Sequence, residues 1–416
     1  MPSRRDMLWL FGVTSLSLSN VSDSVAASIV NPVRVRTITA GVELSSALEL
    51  ERVEAAVAFL SRAKRAFESA GYEVQTLRVA VNPVIASLAP AARDKALDQL
   101  RRIDELVASR GVIFNIGPVV TEDRSDDSLV EWSQALVKVT RTISFSTAIA
   151  TPDGGVMTKV AATTAKIMIA LSNALPDGMA NFRFAAAANI PAGTPFFPVA
   201  WHRGPESFAI GLEAASVVER AFASMRAGED ATEKLRGSLN EVLTPVEKLA
   251  NEVAQRERRQ YLGIDTSPAP AKDRSIAAAI EALTCTPFGS AGTLEACSII
   301  TAALKSVSVR TCGYCGLMLP VLEDLLLARR AGENRYSIRD VLLYSSVCGT
   351  GLDVVPIPGN TSPDSINGLL RDVASLATRL RKPLSARLFL VPGKKAGDLA
   401  RFDDPVLTDS VVMKLD

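Results

Sequence analysis

The densest chemistry in this sequence lies in residues 345–353. Ser345-Ser346-Val347-Cys348-Gly349-Thr350-Gly351-Leu352-Asp353 puts a thiol, a hydroxyl and a carboxylate on one glycine-flanked loop. Glycines allow backbone turns that other residues resist, so Gly349, Thr350 and Gly351 read as a surface a small ligand can approach. Cys348 is a nucleophile or soft ligand if its surroundings favour the thiolate, and a buried packing cysteine otherwise. Asp353 has a counterpart. Gly351-Leu352-Asp353 is followed by Pro356 and Pro358, and Gly263-Ile264-Asp265 by Pro268 and Pro270. A Ser-Ile pair then opens a helix in each case, Ser365-Ile366 and Ser275-Ile276. The echo suggests two equivalent strand–helix units whose aspartates lie beyond the carboxyl ends of strands, where α/β folds bind ligands. Converging carboxylates hold a divalent cation or share a proton. Glu213, ending another strand, belongs to the same edge as Asp265, so Asp265, Asp353 and Glu213 form the candidate metal set. The alternative is that each aspartate caps a turn or a helix.

Other candidates are more scattered. His202, the single histidine, precedes a strand among turn residues and reads either as a general acid/base or as a hydrogen-bonded structural group. The Gly/Ser loop at residues 287–294 leads into a helix. There Ser290, Gly292 and Thr293 form either an anion cradle or a plain capping loop. Arg36, a charge inside the first strand, either pairs with a carboxylate or binds an anionic substrate. Lys394, at a strand end, is an anion contact or a solvated surface charge.

Composition narrows these readings. The chain has 416 residues, 46 Lys+Arg against 45 Asp+Glu, one His and 5 Cys. Balanced charge lacks the footprint of a nucleic-acid binder. One histidine excludes multi-His zinc sites. Cys312-Gly-Tyr-Cys315 has no second pair to complete a Cys₄ site. The loop at 287–294 matches neither G-x-G-x-x-G nor the Walker pattern, and nothing points to a nucleotide, pyridoxal phosphate or flavin. A divalent metal ion is the one cofactor the acidic residues suggest, and a small molecule is the partner.

Elements must position these groups. Residues 1–27 read as a twin-arginine export leader: Arg4-Arg5, then a short apolar run, then small residues near Ala27. That reading implies an extracytoplasmic protein; without it the protein is cytoplasmic. No segment has the length and apolarity of a transmembrane helix. From residue 33 strands and helices alternate, giving about nine or ten strands. This implies one α/β domain over residues 28–416 with a mostly parallel sheet, and a charged helical insertion near 228–260. A single large barrel is the favoured form, a doubly wound sheet the alternative.

The ordered motifs then carry a resemblance. Trp201-His202, Phe208-Ala-Ile-Gly-Leu-Glu213, the two Gly-x-Asp echoes, Cys312-Gly-Tyr-Cys315, Cys348-Gly-Thr-Gly-Leu-Asp353 and the segment from Ser385 to Lys394 resemble the "domain of unknown function 711" family over about residues 33–405. That family is similar in fold to pyruvate formate-lyase and ribonucleotide reductase. The resemblance implies a ten-stranded α/β barrel with a loop thiol inside, a role that falls by analogy on Cys348. Two departures stand out. Residues 400–416 contain no glycine, so the glycyl-radical motif of those enzymes is missing, and Cys315 stands where relatives carry serine. The expectation is a non-radical enzyme, a homo-oligomer, acting on a small anionic metabolite inside the barrel. Cys348, His202 and Asp353 would be catalytic. Arg36, Ser290, Gly292, Thr293, Gly349, Thr350, Gly351 and Lys394 would bind substrate. A binding protein without turnover and a radical enzyme activated by a partner are the alternatives.

Overall fold

Strand β1 (Arg34–Val42) sets the pattern of the whole sheet. Its Ile38, Ala40 and Val42 enter the main apolar core with helix α1 (Leu50–Ser69), and the intervening Thr37, Thr39 and Gly41 face the other way. The period-2 geometry of a strand forces that separation. The computed structural model describes residues 33–45, 49–272 and 274–415, and the leader read at residues 1–27 lies outside them.

The chain continues through β2 (Val74–Val81), α2 (Pro90–Ala108), β3 (Val112–Pro118), α3 (Ser128–Val139), β4 (Ile143–Thr151), β5 (Gly155–Val156) and α4 (Thr158–Ser172). A 3-10 stretch, Pro176–Arg183, leads into β6 (Phe184–Ala188), β7 (Ser207–Glu213), α5 (Ala215–Ala223), α6 (Ala231–Glu257) and β8 (Gln260–Asp265). Helices α7 (Ile276–Thr284), α8 (Thr293–Lys305), α9 (Leu325–Gly332) and α10 (Ile338–Tyr344) follow. The chain ends with β9 (Gly351–Pro358), α11 (Pro363–Leu380), β10 (Leu384–Val391), β11 (Leu399–Ala400) and β12 (Ser410–Val411). Strand–helix alternation is therefore found as expected.

Ten strands form one sheet in the order β8-β7-β1-β2-β3-β4-β6-β10-β9, with β5 paired to β4. The five central strands are mutually parallel. On each side a parallel pair runs antiparallel to them: β7 and β8 beyond β1, β10 and β9 beyond β6. Strand pairing leaves this sheet open, so the fold is a mostly parallel mixed α/β sheet, and a closed ladder of ten strands is not formed. The edge strands are nevertheless joined. Residues 311–320 make one parallel bridge to β8, Ile264 with Thr311, and one to β9, Pro320 with Asp353.

The stretch expected as an exposed helical insertion is α6, and it is part of the β7–β8 connection. Leu235, Leu239, Leu243, Val246, Ala250 and Val253 bury one face at helical spacing. Asp230 caps its start by accepting from the Glu233 amide at 2.8 Å. None of the described helices is long and apolar enough to cross a membrane.

The two faces of the sheet differ in chemistry. Toward the helices, Phe145 packs between Trp132 and Phe184, and burying each such ring stabilises by about 1.5–3 kcal/mol. The inner face carries small and polar residues: Thr37 and Thr39, Asn115, Ser146, Ala185 and Ala187, Ser385. Two irregular segments cover it. Residues 190–201 bring Phe196 and Val199, and residues 311–320 bring Tyr314 and Met318, into a second apolar cluster with Ala185 and Ala187. Small strand residues are what let these segments lie so close.

Candidate functional site

The echoed Gly-x-Asp units occupy the two edge strands of the sheet. Gly263 and Gly351 both adopt positive φ, 134° and 91°. A Cβ at Gly263 would lie 2.7 Å from the Arg310 carbonyl oxygen, and one at Gly351 2.9 Å from the Ser385 amide nitrogen. Both glycines therefore serve close backbone approach. Of the two Ser-Ile pairs, Ser275 does cap a helix, accepting from the Ala278 amide at 3.1 Å. In the other echo the cap is Ser362, and Ser365 lies inside α11.

The two aspartates are held by different partners. Asp265 is fully buried and its carboxylate accepts four bonds: from the Tyr314 amide (2.8 Å), the Cys315 amide (3.0 Å), and the Ser267 amide and hydroxyl (3.1 and 2.6 Å). Burial raises its carboxyl above the ordinary value, and these four donors offset part of that. It anchors the segment that spans the sheet. Glu213 is also fully buried and bound: it accepts from Arg34 (3.1 Å) and Gln75 (2.6 Å) and lies 3.4 Å from Arg274. Among the described residues no three His, Cys, Asp or Glu side chains gather in a metal-holding group.

Asp353 instead joins a cluster of arginines. It accepts from Arg387 Nε at 2.8 Å, and Arg387 Nη2 donates to Glu323 at 2.8 Å. Arg36 reaches the other Glu323 oxygen at 3.4 Å and donates to the Gln75 carbonyl at 3.2 Å. The chain thus runs Glu213–Gln75–Arg36–Glu323–Arg387–Asp353 across the inner face. Arg78 lies beside it, 8% exposed, with its Nε donating to Thr76 at 3.1 Å. Aromatic rings back two of the guanidiniums, Phe197 under Arg78 at 5.0 Å and Phe182 under Arg387 at 4.8 Å. Burial lowers Arg78 to about 9, and Arg36 and Arg387 push the same way. Burial raises the Asp353 carboxyl, although Arg387 opposes the shift.

Arg36 is thus the one substrate-binding candidate that this cluster contains. Arg78, Arg387 and Glu323 escaped the reading of the sequence. The signal that singled out Arg36, a charge inside an apolar strand, is also present at Arg78 in Val74–Val81 and at Arg387 in Leu384–Val391. Glu323 lies in an irregular stretch and carries no such signal.

The glycine-flanked loop has another use. Gly349 backs directly onto Gly316, Thr350 donates to the Leu317 carbonyl at 3.2 Å, and Gly351 lies against Ser385. Gly349 and Thr350 thus seat the spanning segment, and Gly351 seats β10. The Cys348 thiol enters the main apolar core, 1% exposed, and burial pushes it up to about 11. The structure therefore separates it from the arginine side, where Asp353 points. Cys315 is likewise pushed up to about 11 by burial. At the start of α8, Thr293 accepts from the Gly289 amide at 3.1 Å, while Phe288 packs edge-to-face against Tyr336 and Tyr344. Ser290, Gly292 and Thr293 thus belong to the helical layer, and Lys394 is exposed on the surface beyond β10.

His202 is 2% exposed, its Nε2 bonded to the Gly204 carbonyl at 2.9 Å and its Nδ1 3.4 Å from the Ser207 hydroxyl. An Nε2–H tautomer serves both, donating to the carbonyl and accepting from the hydroxyl. Burial lowers this imidazole below its usual 6.5. The unfolded chain therefore takes up a proton first on acidification, and stability falls as pH drops below about 6.5. Thermal unfolding between pH 7.5 and 5.5 is expected to lose more for the wild type than for His202→Gln. Equal slopes would remove His202 from the pH dependence.

The chain matches the family model described as "Uncharacterised ACR (DUF711)" over residues 30–403. It is similar to a UPF0210 protein of Pyrobaculum aerophilum, 30% identical over 348 residues, covering 79% of this chain and 76% of the relative. A UPF0210 protein of Pyrobaculum arsenaticum is 29% identical over 359 residues, covering 81% and 78%. One of Oenococcus oeni is 26% identical over 398 residues, covering 88% of each chain. With the family model spanning nearly all of the described fold, the chain belongs to the DUF711 family, whose relatives here carry the name UPF0210 protein.

Proposed function

We propose that this protein is a non-radical enzyme acting on a small anionic metabolite at the arginine-lined inner face of the sheet. One observation carries the reading: among the described residues Arg36, Arg78 and Arg387 share a largely buried site with two carboxylates, Glu323 and Asp353. Like charges kept together out of water are costly, and structural cores avoid them. Such an arrangement suits a site whose ligand is an anion. Asp353 is the acid/base candidate, since burial raises its carboxyl while Arg387 opposes the shift and holds the carboxylate in position.

The thiol has a smaller place here than the sequence suggested, because burial in an apolar core disfavours the thiolate of Cys348. The proposed metal ligands Glu213, Asp265 and Asp353 are each engaged by N–H or O–H donors, so this reading assigns them no ion. The barrel form of the fold remains attractive, with the bridges at Ile264 and Asp353 marking where residues 311–320 would close the curve.

Incubation with a pool of small carboxylic and phosphorylated acids, read by mass spectrometry, tests the proposal. One acid is expected to be consumed by the wild type. Asp353→Asn should slow this by about 100-fold or more while leaving anion binding in place. An acid that binds and is recovered unchanged would instead make the protein a ligand-binding one.

A further inference from the structure

Arg78 stands apart from the other arginines of the inner face. Arg36 and Arg387 each reach Glu323, and Arg387 also holds Asp353. Arg78 has no ion-pair partner among the described residues, and its only hydrogen bond there runs from Nε to the Thr76 hydroxyl. Among the described residues its two terminal nitrogens have no hydrogen-bond partner. The residue is nonetheless more than nine-tenths buried, with its guanidinium carbon 5.0 Å from the centre of the Phe197 ring. A buried cation normally has a counter-ion or shifts its equilibrium to escape the charge. Here Glu323 favours the charge from a distance, Arg36 and Arg387 oppose it, and no carboxylate among the described residues pairs with it directly.

We propose that Arg78 binds the carboxylate of a monocarboxylate ligand, whose oxyanion provides the missing counter-charge. This rests on the anion-site reading above and narrows it to a ligand class. The charge balance sets the class. Three guanidiniums face two carboxylates, leaving one positive charge in excess. A single carboxylate cancels it. A dicarboxylate or phosphate dianion would leave a net negative charge in a largely buried site. The geometry agrees, because the two free nitrogens of a guanidinium form the fork that matches a carboxylate in bidentate fashion.

Calorimetric titration of the wild type, Arg78→Met and Arg78→Lys with acetate, propionate, malonate and inorganic phosphate is the test, with unfolding of each protein followed in parallel. The wild type is expected to bind acetate or propionate more tightly than malonate or phosphate. Arg78→Met should weaken that binding by at least about 30-fold, with Arg78→Lys intermediate. Ligand-free Arg78→Met should be at least as stable as the wild type, because an unpaired buried charge is removed. Undiminished monocarboxylate binding by Arg78→Met would overturn the assignment. So would tighter binding of the dianions, or a destabilised ligand-free Arg78→Met. Failure of the wild type to bind any of the four would instead overturn the anion-site reading itself.

Discussion

Replacing Asp265 by alanine is expected to cost the folded state about 3 kcal/mol or more. Its carboxylate is fully buried and accepts from the Tyr314 and Cys315 amides and from the amide and hydroxyl of Ser267. Alanine would strand those donors away from water. Each stranded donor costs about 1–3 kcal/mol, and the relief of a buried carboxylate returns part of the sum. The damage would spread, because Tyr314 also donates to the Ser385 hydroxyl at 2.8 Å and so ties the spanning segment to β10. Asp265→Asn keeps one acceptor but turns an N–H group toward other donors, and should lie between the wild type and alanine. Urea unfolding measures both. A loss under about 1 kcal/mol for Asp265→Ala would mean that the segment is held by other contacts.

Alanine at Gly316 or Gly349 is the second large effect. A Cβ at Gly316 would lie 2.8 Å from the Gly349 amide nitrogen and closer still to its Cα; a Cβ at Gly349 would lie 2.9 Å from the Gly316 carbonyl carbon. These are backbone atoms on both sides, so no rotamer change relieves the clash. The segments must part, breaking the Thr350–Leu317 bond beside them. Either substitution is expected to cost about 3 kcal/mol, the upper end for overpacking, or to block folding. Gly237 is the control. It lies exposed in α6 with open space around its would-be Cβ, and Gly237→Ala should stabilise by about 0.5–1 kcal/mol. If Gly316→Ala unfolded at the same urea concentration as Gly237→Ala, the close approach would be refuted.

Local patterns were the legible part of this protein. Alternation in residues 34–42 and helical spacing in residues 53–67 need only near neighbours to be read, so strands, helices and the α/β class followed from them. The Gly-x-Asp echo was legible as a repeat, and its glycines do adopt unusual φ. Its meaning was not. A glycine permits close approach, and only its partner tells whether that partner is a ligand or another strand of backbone. For Gly349 and Gly351 the partners are Gly316 and Ser385, distant in sequence. Capping was partly legible for a similar reason. Ser275 bonds three residues ahead, but Asp324 caps both α7 and α9, accepting from the Ile276 amide at 2.7 Å and the Leu327 amide at 3.1 Å.

By itself, then, the amino-acid order determined which stretches became strands and helices, the absence of a glycine from residues 400–416, and the family to which the chain belongs. Tertiary structure alone decided which face of each strand became the inner one. Alternation looks the same whichever face is buried against helices, so Arg78 and Arg387 acquired a shared direction only when β2 and β10 took their places in one sheet. It also decided the fate of the carboxylates. Charge compensation acts over a few ångströms of space, whatever the separation along the chain. Glu323 therefore met Arg36 and Arg387, Asp265 met the amides of residues 314 and 315, and Arg78 was left without an ion-pair partner among the described residues.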